Sequence, residues 1–370
     1  MTPEKTNLRA PAPTRDCSMS LHARVSIGRA CLGRSLVPPI VRGPATEPVA
    51  HVARNHPRRR VAAVIPEHVL VTTDGSDSAH RAIPAALAAI RACGSSRVTL
   101  LRVLTPKHAG PVHALEWAMA RAHAEMDLER LAAQLPLEEK ATSVVAEGRA
   151  AEQILHFIDT EEVDLIVIAS HGSDGSRSWR MGSTTRKVIS SGPVSLLVVP
   201  AEPPSTAFEH ILVPLDCSAR AEHVLPLVAR VAQAHDAQIT LAHVVQRPDS
   251  SHHLPSGTRE RGLIEELTQH NRQRAKTYLE AVSERLAGRG LRVQIKLLSD
   301  TNPARAIERL ASSSNTDLVL LCAHGGGCAH GERYGSVARR LLDSLVKPVW
   351  IAQDLAAEAP PRFTAAQSVE

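Results

Sequence analysis

The stretch Asp164-Leu165-Ile166-Val167-Ile168-Ala169-Ser170-His171-Gly172 decides the reading of this chain, because it occurs twice. Its counterpart is Asp317-Leu318-Val319-Leu320-Leu321-Cys322-Ala323-His324-Gly325, again an aspartate, five apolar residues and a His-Gly turn. An uninterrupted apolar run ending in a glycine turn fits a strand buried on both faces, the kind parallel sheets use. Other landmarks repeat in the same order. His68–Asp74 returns as His210–Asp216, Leu100–Val103 as Leu241–Val244, Gly182-Ser183 as Gly335-Ser336, and Pro193-Val194 as Pro348-Val349. A shared order with similar separations is the mark of a duplicated domain.

Between the landmarks, short apolar runs alternate with longer amphipathic stretches, the pattern of β-α units. Strands are expected over 68–73, 97–104, 141–146, 163–169 and 194–199, then over 210–215, 238–245, 291–298, 317–322 and 348–352. A long helix is expected over 112–136, and Asn302-Pro303 supplies an N-cap and a first-turn proline for a helix over 304–312. Residues 246–258 read as a polar loop, and 201–207, with Pro203-Pro204, as a hinge. The fold class is therefore α/β, as two tandem open five-stranded parallel sheets flanked by helices, over residues 67–200 and 208–354.

Composition narrows the function. Hydrophobic residues make up 43% of the chain but aromatics only 2%, so the cores are aliphatic and the rings are too few for base-stacking platforms. Nucleic acid is a poor partner for such a chain. The net charge of +5 sits at the N-terminus: residues 1–66 hold 11 Lys/Arg against 3 Asp/Glu, leaving 32 basic against 35 acidic residues elsewhere. That Pro- and Arg-rich segment, with Arg58-Arg59-Arg60, lacks helical or strand periodicity and is expected to be disordered, as is 355–370. A transit peptide or an electrostatic tether would have the same composition. The six cysteines form no C-x-x-C pair, which argues against a zinc site or a disulfide framework. No run approaches the ~20 apolar residues of a membrane span, so the expectation is a soluble cytoplasmic protein without a membrane partner.

The candidate site follows the fourth strand of each copy. Gly172 is followed by nine residues and Gly182-Ser183, and Gly325 by nine residues and Gly335-Ser336. Glycines let backbone approach an anion, amides at a helix start point at it, and a serine hydroxyl adds a donor. In one copy alone, turn glycines and an N-cap serine would explain the pattern. Two copies with one spacing favour a phosphate loop. Neither a Walker G-x-x-x-x-G-K-[ST] nor a Rossmann G-x-G-x-x-G follows the first strand.

Ser170-His171-Gly172 with the spacing to Gly182-Ser183, closing on Gly192-Pro193-Val194 and a last apolar strand, resembles the universal stress protein family. Its ATP-binding members carry G-x-x-G-x(9)-G-[ST]. The openings at Asp74-Gly75-Ser76 and Asp216-Cys217-Ser218 resemble the family's first strand and turn, and the likeness covers 68–200 and 209–354. It implies the strand order 3-2-1-4-5, with a nucleotide crevice at the ends of strands 1 and 4. It also implies that Asp74, Val103, Asp216 and Val244 contact adenine and ribose. Gly172, Gly182, Ser183, Gly325, Gly335 and Ser336 would then hold phosphates, and ATP, with magnesium as an option, would be the cofactor. The motif's first glycine is Ala169 in one copy and Cys322 in the other, and the second loop is richer in glycine. The first site, with Arg177 and Arg180 near its loop, is therefore expected to bind ATP more tightly than the second.

His171 and His324 lack the nucleophile and second acid that a catalytic constellation needs, so they read as structural hydrogen-bonders. Asp74 and Asp216 read equally as turn caps and as water-mediated magnesium ligands. Cys322 reads as inert at the end of a buried strand, and Trp117 as core. The function expected is an ATP-binding stress-response regulator with at most very slow hydrolysis, not an enzyme. It would work with unidentified protein partners, as a pseudo-dimeric monomer or a homodimer. The alternative is a nucleotide-independent scaffold with degenerate crevices. An adenine-nucleotide hydrolase is disfavoured, because Asp74-Gly75-Ser76-Asp77-Ser78 lacks the S-G-G-x-D-S glycine pair.

Overall fold

The computed structural model describes residues 65–94, 97–106, 114–137, 141–171, 181–200, 207–246, 258–327, 333–344 and 347–354. Residues 1–64 and 355–370, nearly all of the expected hinge and polar loop, Gly172, Arg177 and Arg180 lie outside them.

The first copy contributes β1 (His68–Thr73), β2 (Arg97–Leu104), β3 (Thr142–Glu147), β4 (Leu165–Ala169) and β5 (Ser195–Val199). The second contributes β6 (His210–Pro214), β7 (Gln238–Gln246), β8 (Arg292–Asp300), β9 (Leu318–Cys322) and β10 (Val349–Ala352). Helices α1 (Asp77–His80), α2 (Ile83–Cys93), α3 (Ala114–Gln134), α4 (Ala150–Thr160) and α5 (Ser183–Ser191) are followed by α6 (Leu225–His235), α7 (Thr258–Ala287), α8 (Pro303–Ser313) and α9 (Ser336–Ser344). Asn302 caps α8 as its sequence implies, its side chain accepting from the Arg305 amide at 3.0 Å.

Within each copy the strands pair in parallel in the order 3-2-1-4-5. The two five-stranded sheets do not stand apart. β5 and β10 pair antiparallel, Trp350 opposite Leu197, and fuse them into one ten-stranded sheet, β3-β2-β1-β4-β5-β10-β9-β6-β7-β8. The last strands thus lie at the domain interface, as edge partners. Ser195–Val199 and Val349–Ala352 are buried throughout, and left unpaired each would present a long apolar edge. Pairing removes both edges at once.

The core has two layers. One face of the sheet is covered by α2, α3, α6 and α7, the other by α4, α5, α8 and α9. Across the junction α2 packs on α6, where Arg230 Nη2 donates to the Cys93 carbonyl at 3.0 Å and His235 Nε2 to the Ala88 carbonyl at 2.9 Å. The aspartate that opens each repeated stretch fastens the sheet start. Asp164 accepts from the amides of Glu67 and His68 at 3.1 and 3.0 Å, and Asp317 from those of Glu209 and His210 at the same distances.

Candidate functional site

β1 and β4 are neighbours whose connections leave to opposite faces, α2 on one side and α5 on the other, and β6 and β9 repeat this. A crevice therefore opens at their C-terminal ends, where open α/β sheets bind ligands. In the second copy it is a cavity of about 1390 Å³. Asp216, Val244, Gly325, Gly335 and Ser336 all line it, so the residues singled out from sequence converge on one space.

The loop geometry is specific. Asp216 Oδ2 accepts from the Gly326 amide at 2.7 Å, and Oδ1 from the Ser218 amide at 3.0 Å and the Ser218 hydroxyl at 2.6 Å. The carboxylate thus caps the turn after β6 and also ties it to the turn after β9. Within the glycine run, the Gly326 amide is the one tied to this carboxylate among the described residues. A Cβ on Gly325 would collide with the Asp216 carboxylate, and one on Gly326 would come within 3.1 Å of Ser218 Cβ. At the far end of the loop, the Gly335 amide donates to the Ala323 carbonyl at 2.8 Å, holding the start of α9 against the end of β9. The first copy repeats this, with the Gly182 amide donating to the Ser170 carbonyl at 2.9 Å.

The chain matches the universal stress protein family over residues 66–200 and again over 207–353. It belongs to that family. A universal stress protein of Thermus aquaticus, named for its place in the 3′ region of QAH/OAS sulfhydrylase, is 29% identical over 133 residues, 35% of this chain and 96% of that protein. The crystal structure of a universal stress protein from Archaeoglobus fulgidus aligns with a TM-score of 0.57 at 17% identity, covering 78% of this chain and 98% of that one. A putative universal stress protein from Pseudomonas aeruginosa aligns with a TM-score of 0.53 at 14% identity, covering 78% and 94%. At these identities the two structures establish the fold.

In the first universal stress protein domain, Asp74, Val103, Ala169, Gly182 and Ser183 occupy the positions that match the second, while Gly172 lies outside the described residues. Asp74 Oδ1 accepts from the Ser76 amide at 2.9 Å, so both aspartates cap their turns. Ser183 is the first residue of α5 rather than its N-cap; Gly182 takes that place, and no side-chain cap bond is made at this helix start among the described residues.

The two turns differ in one residue that sequence reading passed over. Gly75 adopts φ 80° and its counterpart Cys217 φ 65°, so a side chain stands in the left-handed region that favours glycine. Cys217 Sγ lies 3.5 Å from His243 Nδ1, which donates to the Leu215 carbonyl at 2.8 Å. Burial, then the Asp216 charge, pushes the Cys217 thiol up to about 11, and burial pushes Cys322 up to about 12. Both are poor nucleophiles at neutral pH, and the expected inertness of Cys322 has its cause in burial. His324 is a structural hydrogen-bonder: its Nδ1 meets Asp354 Oδ1 at 2.6 Å, and Arg220 Nε pairs with the other oxygen.

Two further arginines line the cavity, Arg274 from α7 and Arg340 from α9, and neither pairs with an acid among the described residues. Arg340 was legible, since it follows Ser336 by four residues and lies one turn along the same face. Arg274 was not, because only the packing of Ala275 and Leu279 fixes which side of α7 meets the crevice. Trp117, read as core, is half-buried and donates through Nε1 to Glu147 at 2.9 Å.

Proposed function

We propose that this universal stress protein binds an adenine nucleotide, ATP in the first instance, and reports the bound state to other proteins as a stress-response regulator. One observation carries the reading: five residues chosen from the family motif, on three strand ends and one helix start, line a single cavity at the switch point of the sheet. Phosphates would lie on the Gly325–Gly327 backbone and the start of α9, with Ser336 as a donor and Arg340 as counter-charge. Adenine and ribose would lie toward Asp216 and Val244. The first crevice repeats the elements and would bind the same ligand.

Asp216 is the one acidic residue lining the cavity among the described residues, and both its oxygens already accept hydrogen bonds. Among the described residues this cavity therefore offers no carboxylate pair for a resident cation, and magnesium would enter on the phosphates. The role proposed is binding rather than turnover. His324 is committed to Asp354, and no activated nucleophile faces the loop among the described residues.

Titration calorimetry with ATP and magnesium tests this. The wild type should bind, and Ser336→Ala should weaken binding roughly ten- to a hundredfold, the loss of one hydrogen bond to a charged group. Ser183→Ala reports the first crevice in the same way, and the larger loss identifies the tighter site. No heat and no thermal shift at millimolar ATP would overturn the reading and favour a nucleotide-independent scaffold.

A further inference from the structure

Among the described residues, the large hydrophobic side chains exposed to solvent are five, and they lie on two helices: Leu115, Met119 and Met126 on α3, and Leu263 and Leu267 on α7. Single exposed apolar residues are ordinary, but their confinement to two helices is not. On α3 they are 73%, 53% and 56% exposed. The helix packs on the sheet through Ala124, Leu128 and Ala132. At 3.6 residues per turn, Leu115, Met119 and Met126 all fall about half a turn away from Ala124, on the outer face. With exposed Ala122 they step by four, three and four residues, the a/d spacing of a helix-pairing seam.

We propose that α3 is a self-association surface, on which a second copy of this chain docks its own α3 antiparallel about a twofold axis. The charges beside the seam choose the occupant and the direction. Glu116 and Arg130 lie on the same flank near opposite ends of the seam, and neither makes an ion pair among the described residues. In an antiparallel pair that sets Leu115 against Met126 of the partner subunit, that flank faces its own copy. Glu116 then stands opposite Arg130 of the partner subunit, twice by symmetry. Glu125, on the other flank, is already held by Arg121 at 2.9 Å. The seam is short: a helix of 21 residues is about 31 Å long, so the contact is smaller than the ~1,200–2,000 Å² of stable interfaces. The dimer is accordingly weak and concentration-dependent. It leaves both crevices and the β5–β10 junction untouched, so it stands apart from the nucleotide reading.

Sedimentation equilibrium on the full chain, from low micromolar to submillimolar concentration, tests it. The mass average should climb from monomer toward dimer. Met119→Glu with Met126→Glu, both at solvent-facing positions, should hold the chain monomeric with an unchanged melting temperature. Glu116→Arg and Arg130→Glu should each weaken the dimer roughly two- to tenfold, and the two together should restore it. A monomer at every concentration, a dimer indifferent to the methionine changes, or charge swaps that fail to compensate would each overturn the proposal.

Discussion

The Asp216 carboxylate stands in the space that a Cβ on Gly325 would need, and it accepts from the next amide, Gly326, at 2.7 Å. A side chain at 325 must therefore displace the group that ties the two turns together. Gly325→Ala is expected to cost about 1 kcal/mol of stability, for solvent-accessible hydrogen bonds, and to weaken ATP binding at least about tenfold by moving the loop. Gly327→Ala is the control, because a Cβ there meets nothing within 4 Å. Calorimetry and thermal melts on the two variants check this, and equal losses would show that the Asp216 contact is incidental.

Trp350 is the largest fully buried side chain among the described residues and sits in β10 opposite Leu197, at the junction of the two sheets. Its indole Nε1 has no hydrogen-bond partner among the described residues. Trp350→Ala should therefore destabilise by about 3–5 kcal/mol through the cavity it leaves. Trp350→Phe keeps most of the volume and removes the unpaired donor, so it should stay within about 1.5 kcal/mol of the wild type. Urea unfolding of both variants measures the difference. A large loss from the phenylalanine variant would mean that the indole N–H is satisfied.

What could be read from the chain was what local pattern encodes. The buried strands fell within about two residues of expectation, because continuous apolar runs have no other home. The repeated aspartates, Asp164 and Asp317, marked a real device, the clamp on the start of each sheet. The family likeness implies that Ser195–Val199 and Val349–Ala352 lie at the domain interface, as they do, but their fusion of two sheets into one was not legible. It depends on which edge meets which, and nothing in either strand alone specifies an antiparallel partner more than 150 residues away. The tie from the Gly326 amide to Asp216 was hidden for a related reason, since its partner lies 110 residues away. Cys217 hid in the same way, since only the backbone shows that it fills a glycine's conformation.

Asp354 bridges Arg220 and His324, and the side chains of Asp354 and His324 are 5% and 1% exposed. Removing the shared anion strands the part-exposed Arg220 guanidinium and the buried His324 imidazole, so Asp354→Ala should cost about 1–3 kcal/mol. His324 precedes Gly325 in the loop, and ATP affinity should fall with stability. Asp354→Asn keeps the shape without the charge and should cost less. Thermal midpoints together with calorimetry check both halves, and a drop in stability with unchanged affinity would confine the triad to a packing role.

His68 links stability to acidity. It is 3% exposed, its Nδ1 donates to the Glu161 carbonyl at 2.9 Å, and its Nε2 accepts from the Thr99 hydroxyl at 3.0 Å, a neutral imidazole with both nitrogens satisfied. Burial first, then the Arg97 charge, lowers its pKa below the ordinary 6.5, against the opposing pull of the Glu161 carbonyl and the Asp164 and Glu161 carboxylates. The unfolded chain therefore takes up a proton at a higher pH than the folded one. Stability from this group is complete above about pH 6.5 and is lost as the pH falls through the lowered folded value. His68→Gln has no imidazole to titrate at this position. Between about pH 7.5 and about pH 5.5 the urea midpoint of the wild type should fall further than that of the variant. The comparison of slopes matters because the chain has 19 histidines, and only the difference belongs to His68. Equal slopes would assign the acid sensitivity to other groups and leave His68 a hydrogen-bonder without a role in pH response.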